Sequence, residues 1–228
     1  MEMTERVALV VGAGGPLGRS VVDKLVAAGY RVAGADRNKD GLETLPPQVL
    51  RVPGDATDPE DARRVVETVV SELGTPAVLV NTIGAYGLGD ALAATPDQLR
   101  LMMDVNLGPA LWLTQAVVPH MREAGGGSIA FVSSRWGAEA EAGVAAYSLS
   151  KAALNHLVVV LNHELRESGI RVNAVAPQLI DTPLNRSFLP ADVMAHATAP
   201  EAIADQLVHL VTDAGGPVSG AILPAYGF

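Results

Sequence analysis

Residues 6–20 read RVALVVGAGGPLGRS: an apolar run, four glycines within seven positions, and the opening of a helical pattern. The run Arg6–Val11 shows no polar alternation, as expected of a strand covered on both faces. Glycines at 12, 14, 15 and 18 let the backbone approach a ligand closely. A helix starting there offers free N–H groups and the positive end of its dipole to an anion such as pyrophosphate. The spacing is not the G-x-G-x-x-G of a dinucleotide loop, because the third glycine falls on Leu17. A tight strand-to-helix turn with no ligand accounts for the same glycines. Pro16 suits a first helical turn and removes one N–H that a phosphate would otherwise use.

The pattern repeats outward along the chain. Further apolar runs predict strands at 31–35, 48–52, 77–81, 128–133, 171–176 and 220–225, and helical patterns fall near 16–28, 59–73, 96–123, 143–168 and 200–213. Asp58-Pro59 and Thr95-Pro96 each read as an N-cap followed by a first-turn proline. Strand and helix in alternation predict an α/β fold: a Rossmann-type, doubly wound parallel sheet of about seven strands with helices on both faces. Without repeats, low-complexity tracts or a linker, residues 1–228 read as a single domain. The longest unpatterned stretch, 177–199, follows the sixth strand, where such sheets bind ligands, and is the expected substrate lid.

Composition narrows the function. Of 228 residues, 49% are apolar and 18% charged, which suits a globular domain with a full core. A formal net charge of −9 argues against nucleic acid or an anionic membrane as partner. No window is apolar for long enough to cross a bilayer, and the first residues, MEMTER, carry acids where a secretion signal needs positive charge. With no cysteine there is neither disulfide nor thiolate, and His120, His156, His163, His196 and His209 lack ligand spacing, so no metal is expected. A cytoplasmic location follows as the expectation.

Two further features carry chemistry. Asp36 closes the second predicted strand, where a carboxylate can accept hydrogen bonds from both hydroxyls of an adenine ribose and repel a 2′-phosphate. That favours NAD over NADP, although Arg37 next to it is suited to a 2′-phosphate. Tyr147 and Lys151 lie four apart in AAYSLSKAAL, one turn apart on one helix face. A phenol near pKa 10 is a poor acid or base near neutrality. An ammonium about 4 Å away is worth up to ~4 kcal/mol at moderate dielectric, enough to bring it toward the working range. A solvated helix face holding two long side chains is the plain alternative.

In these residues the chain resembles the short-chain dehydrogenase/reductase family over nearly its whole length. The resemblance implies a Tyr-x-x-x-Lys pair at Tyr147 and Lys151, a catalytic serine at Ser134 in FVSSRWG and a catalytic asparagine at Asn106 in DVNLGPAL. It implies cofactor contacts at Gly12, Leu17, Gly18, Asp36, Asp55, Asn81 and Gly84, at Tyr147 and Lys151 themselves, and at Pro177, Ile180 and Thr182 in VNAVAPQLIDTPL. The implied activity is hydride transfer between NAD(H), with NADP(H) possible, and a small-molecule carbonyl/secondary alcohol pair. Ser134 and Tyr147 would hold the carbonyl oxygen, with Tyr147 as general acid/base. Lys151 would bind the nicotinamide ribose, and the Asn106 carbonyl would hold a water that resupplies protons. Homodimers or homotetramers are the family's habit. A non-catalytic dinucleotide-binding regulator and a same-fold epimerase or dehydratase are the competing readings.

Departures from the family pattern are specific. Val11 stands where a threonine usually precedes the first loop glycine, Pro16 where a glycine is usual, Thr82 and Ile83 after Asn81, and Gln178 where a glycine usually borders the nicotinamide. Toward the substrate the candidates are Tyr86, Arg135, Trp136, Gln178 and Phe188. Arg135 either recognises an anion or pairs with Glu139 or Glu141. Trp136 and Phe188 either wall an apolar pocket or serve packing. Gln178 narrows the pocket, bonds the substrate or points to solvent. The lid is short for the family, which implies an open site or a small substrate. Pro109 is expected to kink the helix that carries Asn106.

Overall fold

The computed structural model describes residues 6–227. Seven strands form one parallel sheet: β1 (Val7–Val11), β2 (Arg31–Asp36), β3 (Leu50–Pro53), β4 (Pro76–Asn81), β5 (Gly127–Val132), β6 (Ile170–Pro177) and β7 (Ile222–Ala225). Their order is β3-β2-β1-β4-β5-β6-β7. The helices are α1 (Pro16–Ala27), α2 (Lys39–Glu43), α3 (Pro59–Leu73), α4 (Pro96–Asn106), α5 (Gly108–Glu123), α6 (Ala145–Leu165), α7 (Pro183–Phe188), α8 (Ala191–Met194) and α9 (Pro200–Val211). From β1 the chain winds outward to β2 and β3, then returns to place β4 on the other side of β1. Connections leaving β1 and β4 therefore part in opposite directions and open a crevice at the carboxyl ends of these strands.

The missing polar alternation has a direct cause. On β1, Val7, Leu9 and Val11 face a core shared with Val65 and Val69 of α3, Leu113 and Val117 of α5, and Leu154 and Val158 of α6. Ala8 and Val10, pointing the other way, pack with Val21 and Leu25 of α1 and Ile203 and Leu207 of α9. Every side chain of β1 is buried, so neither face tolerates a polar residue. The caps at Asp58 and Thr95 form as the sequence predicts. Asp58 accepts from the Asp61 N–H, and Thr95 and Gln98 close a reciprocal capping box.

Three local expectations need correction. The single helix expected over 96–123 is two, α4 and α5, divided at Leu107. Pro109 brings no N–H and its ring crowds the preceding turn, so the chain restarts the helix instead of merely bending. The stretch after β2 contains α2, which the apolar pattern misses because Leu42 is its one large apolar residue. Residues 177–199 are not pattern-free: they hold α7 and α8, and a parallel bridge joins Ile180 to Thr198. Among the described residues no helix is long and apolar enough to cross a membrane.

Candidate active site

The crevice begins with a backbone contact that only glycine allows. A side chain at Gly18 would overlap the carbonyl of Gly12, and one at Gly12, whose φ is 83°, would strike the Thr82 hydroxyl. Gly14 makes a looser approach, where a side chain would lie 3.1 Å from the Gly41 Cα in α2. Thr82 Oγ1 lies 3.0 Å from the carbonyl oxygen of Val11 and 3.2 Å from that of Gly12, and donates its hydrogen to this pair. Val11 has no hydroxyl to brace the turn. The brace comes instead from the end of β4, across the crevice.

At the far end, Asp36 accepts from the backbone N–H of Gly14 through one oxygen and of Asn38 through the other, both at 2.9 Å. Each oxygen keeps a second lone pair. Arg37 is drawn to Asp55, 3.5 Å away. Burial opposes ionisation of Asp55, but hydrogen bonds from the Thr57 side chain and backbone and the nearby Arg37 outweigh it and hold the carboxyl below its ordinary range. Leu17 and Gly18 are buried in the first turn of α1. Asn81 is buried at the end of β4, where its side-chain oxygen accepts from the Ile83 N–H at 3.0 Å. A groove floored by backbone, facing a helix N-terminus and closed by carboxylates fits a dinucleotide's pyrophosphate and adenosine.

Beyond it lie the groups with acid–base capacity. Ser134, buried just past β5, accepts from the Trp136 N–H at 3.2 Å and lies beside the Tyr147 hydroxyl, whose ionised form it favours. Tyr147, on the first turn of α6, is 9% exposed, and burial raises its pKa while Ser134 partly offsets the rise. Lys151 is buried one turn on; its Nζ donates to the Val132 carbonyl at 2.9 Å, and burial pulls its pKa down to about 8. This revises the simple picture of a lysine acidifying a tyrosine. Burial and neighbouring hydroxyls govern Tyr147, while Lys151 is itself tuned toward neutrality. A side chain at Gly84 would lie 3.1 Å from both Lys151 Nζ and Asn106 Oδ1, so glycine there keeps the lysine's end accessible to the crevice.

Asn106 acts as a clamp. Its side-chain oxygen accepts from the Ala85 N–H at 2.8 Å, and its amide nitrogen donates to the Ala85 carbonyl and to Ser150 Oγ, both at 3.0 Å. Ser150 Oγ donates in turn to the Tyr147 carbonyl at 2.7 Å. The adjacent Tyr86 ring meets the Tyr147 ring edge-on at 4.9 Å. Next to Ser134, Arg135 pairs with Glu139 at 2.7 Å and donates to Gln178 Oε1 at 2.9 Å. Gln178 is thus held by protein. Trp136 and Tyr226 both lie against the Arg135 guanidinium. Phe188 stands more than half exposed at the end of α7. Pro177 ends β6; Thr182 caps α7 by accepting from the Asn185 N–H at 3.1 Å, and Asn185 donates to the Ile180 carbonyl at 2.7 Å.

The short chain dehydrogenase family model matches residues 6–192, and with it every element that lines the crevice up to α8. The chain belongs to the short-chain dehydrogenase family. It is 30% identical to a 4-formylbenzenesulfonate dehydrogenase of Comamonas testosteroni, covering 100% of this chain and 98% of that one. An oxidoreductase of Staphylococcus aureus is 27% identical, with 92% of each chain covered. A 7α-hydroxysteroid dehydrogenase solved with NADH and 7-oxo glycochenodeoxycholic acid superposes with a TM-score of 0.91 at 28% identity, covering 98% of this chain and 94% of that one.

Against that family pattern, two residues of the site escape a reading of the sequence. Thr82 shows only as a substitution, and the hydroxyl's partner lies on another strand, 71 positions away. Tyr226 follows the last strand in LPAYGF, where nothing in the pattern ties it to Arg135.

Two outcomes follow from this geometry. Thr82→Val should weaken NADH binding roughly five-fold, the equivalent of about 1 kcal/mol for one hydrogen bond, while Thr82→Ser stays near wild type in a fluorescence titration. Lys151 binds its proton less tightly when folded than when unfolded, where its pKa is near 10.5. Between about 8 and 10.5 the unfolded chain holds the extra proton, so stability rises with pH across that window. Urea denaturation should show this rise in wild type and lose that part of it in Lys151→Met.

Proposed function

We propose that the protein is an NAD(H)-dependent oxidoreductase that interconverts a small carbonyl compound and its alcohol, with Tyr147 as general acid/base. The observation that carries this reading is the placing of the buried Ser134 and Tyr147 side by side at the inner end of the glycine-floored crevice. Gly12, Leu17, Gly18, Asp36, Asp55, Asn81, Gly84, Pro177, Ile180 and Thr182 would hold the dinucleotide, with Tyr147 and Lys151 beside its nicotinamide half. When bound, that cofactor gives or takes the hydride.

The chain's own groups supply the rest. Ser134 and Tyr147 each present an O–H to the substrate's carbonyl oxygen, and Tyr147 passes its proton to that oxygen as it becomes an alcohol. Burial keeps Tyr147 protonated at neutral pH, the form that reduction needs, so oxidation of an alcohol should require more alkaline conditions. Lys151, near 8, exchanges protons easily under ordinary conditions and is suited to resupplying the tyrosine. Asn106 acts through its clamp on Ala85 and Ser150, and its carbonyl stands where α4 ends. Asp36 disfavours a 2′-phosphate, and the pairing of Arg37 with Asp55 supports NAD over NADP.

The same reading includes residues 177–199 as the substrate lid, and Tyr86, Trp136, Gln178 and Phe188 as its neighbours. It also includes a homodimer or homotetramer, supported by the exposed Leu99 and Leu101 of α4 and Leu149 of α6, and a cytoplasmic setting. Relatives named for an aromatic aldehyde and solved with a steroid ketone support a carbonyl/alcohol pair without selecting one.

The test is a titration with NADH and separately with NADPH, followed by NADH consumption on a panel of small aldehydes and ketones. NADH should bind more tightly. Tyr147→Phe should keep that binding and lose turnover by about 10²–10⁴-fold. Binding with no net consumption would favour a regulator or an epimerase, and absence of binding would overturn the cofactor site.

A further inference from the structure

Arg135 directly follows Ser134, yet it is held by three separated parts of the chain. Its guanidinium lies 5.2 Å from the centre of the Trp136 ring and 5.0 Å from that of Tyr226. Nη1 donates to Gln178 Oε1 at 2.9 Å and Nε to Glu139 Oε2 at 2.7 Å. The end of β5, the end of β6 and the residues after β7 thus converge on one cation. Two rings and the Gln178 oxygen contact the guanidinium in addition to Glu139. The pair with Glu139 lies near the surface, with side chains 32% and 44% accessible, and water weakens such a pair. Glu139, which also faces the Tyr226 hydroxyl, is the partner that an incoming anion can replace.

Gln178 replaces the glycine usual at this position, and its bond to Arg135 has a directional consequence. With its oxygen turned to Arg135, its amide nitrogen is left facing away as a donor, while the oxygen's remaining lone pair lies on the cation's side. Nη2 of Arg135 is also a donor and, among the described residues, gives no hydrogen bond to protein. The wall running from Ser134 to Gln178 therefore offers hydrogen-bond donors and a positive charge. A neutral apolar substrate would leave these donors unpaired on closure, at a cost to binding.

We propose that Arg135 and Gln178 form a subsite for an oxyanionic group, so that the preferred substrates are carbonyl compounds that also carry a carboxylate or a similar oxyanion. The anion docks on Arg135 Nη2 and the Gln178 amide and displaces Glu139, while Trp136 and Tyr226 hold the guanidinium in plane. This inference rests on the dehydrogenase reading of Ser134 and Tyr147, and its test separates the two.

The experiment compares 4-formylbenzoate with its neutral methyl ester as substrates for NADH oxidation. It also measures binding of 4-(hydroxymethyl)benzoate to the NAD⁺-loaded protein by calorimetry. Wild type should prefer the carboxylate by at least ten-fold in kcat/KM. Arg135→Gln should collapse that ratio toward one, chiefly through KM, and weaken calorimetric binding by a similar factor. Glu139→Gln, which frees the cation, should tighten binding two- to five-fold and decides the matter if Arg135→Gln fails to fold. Equal use of the two substrates overturns the subsite and leaves the dehydrogenase reading intact, as does a loss in Arg135→Gln that is equal for both. If NADH binds but neither aldehyde is reduced, calorimetry alone judges the subsite. If NADH does not bind, and the carboxylate ligand does not bind either, both readings fall.

Discussion

Everything at the site is referred to one close approach, the backbone of Gly18 against the carbonyl of Gly12. No side-chain atom fits between them, so α1 starts directly on top of the turn that leaves β1, and its N-terminus is aimed into the crevice. Thr82 then ties that turn to the end of β4. The two strands that flank the switch in winding direction are held together exactly where their connections diverge. Moving the threonine's hydroxyl from the usual place before the first glycine to the facing strand leaves the constraint in force. A hydrogen bond has two ends, and either side of the crevice can supply the donor.

The acid–base groups follow a different logic, in which burial does most of the tuning. Taking Lys151 out of water costs its charge part of its stability, and taking Tyr147 out of water makes its proton harder to lose. The two shifts run apart: from nearly equal ordinary values, the amine becomes a readier proton donor and the phenol a more reluctant one. Burial thus sets two groups of different proton affinity one helical turn apart, and Asn106 and Ser150 hold the backbone beneath them.

Much of this was legible in the sequence, because the signals are local. An unbroken apolar run such as Val7–Val11 reports burial on both faces, glycine clusters report close approach, and Tyr147 and Lys151 share a helix face by spacing alone. What was not legible depended on partners distant in the chain. The division at Leu107 needed the cost of Pro109 weighed against the packing of two helices. Gln178 had three open readings until Arg135 was found beside it. Tyr226 gave no signal, because its importance lies entirely in which side chain it touches. The influence of Lys151 on Tyr147 was overestimated for a related reason: spacing gives proximity but not the carbonyl of Val132, which claims the ammonium.

The excursion that follows β6 is pinned at its root. The Thr198 N–H donates to the Leu179 carbonyl and the Asp181 N–H to the Thr198 carbonyl, both at 2.9 Å, so the chain between them leaves and returns at nearly one point. A loop whose ends are already closed is nearly free to change length: each doubling adds only about 0.6 kcal/mol of closure entropy. Residues can be gained or lost around α7 and α8 with little effect on the sheet. The segment between Leu179 and Thr198 can therefore diverge almost independently of the part that holds the fold.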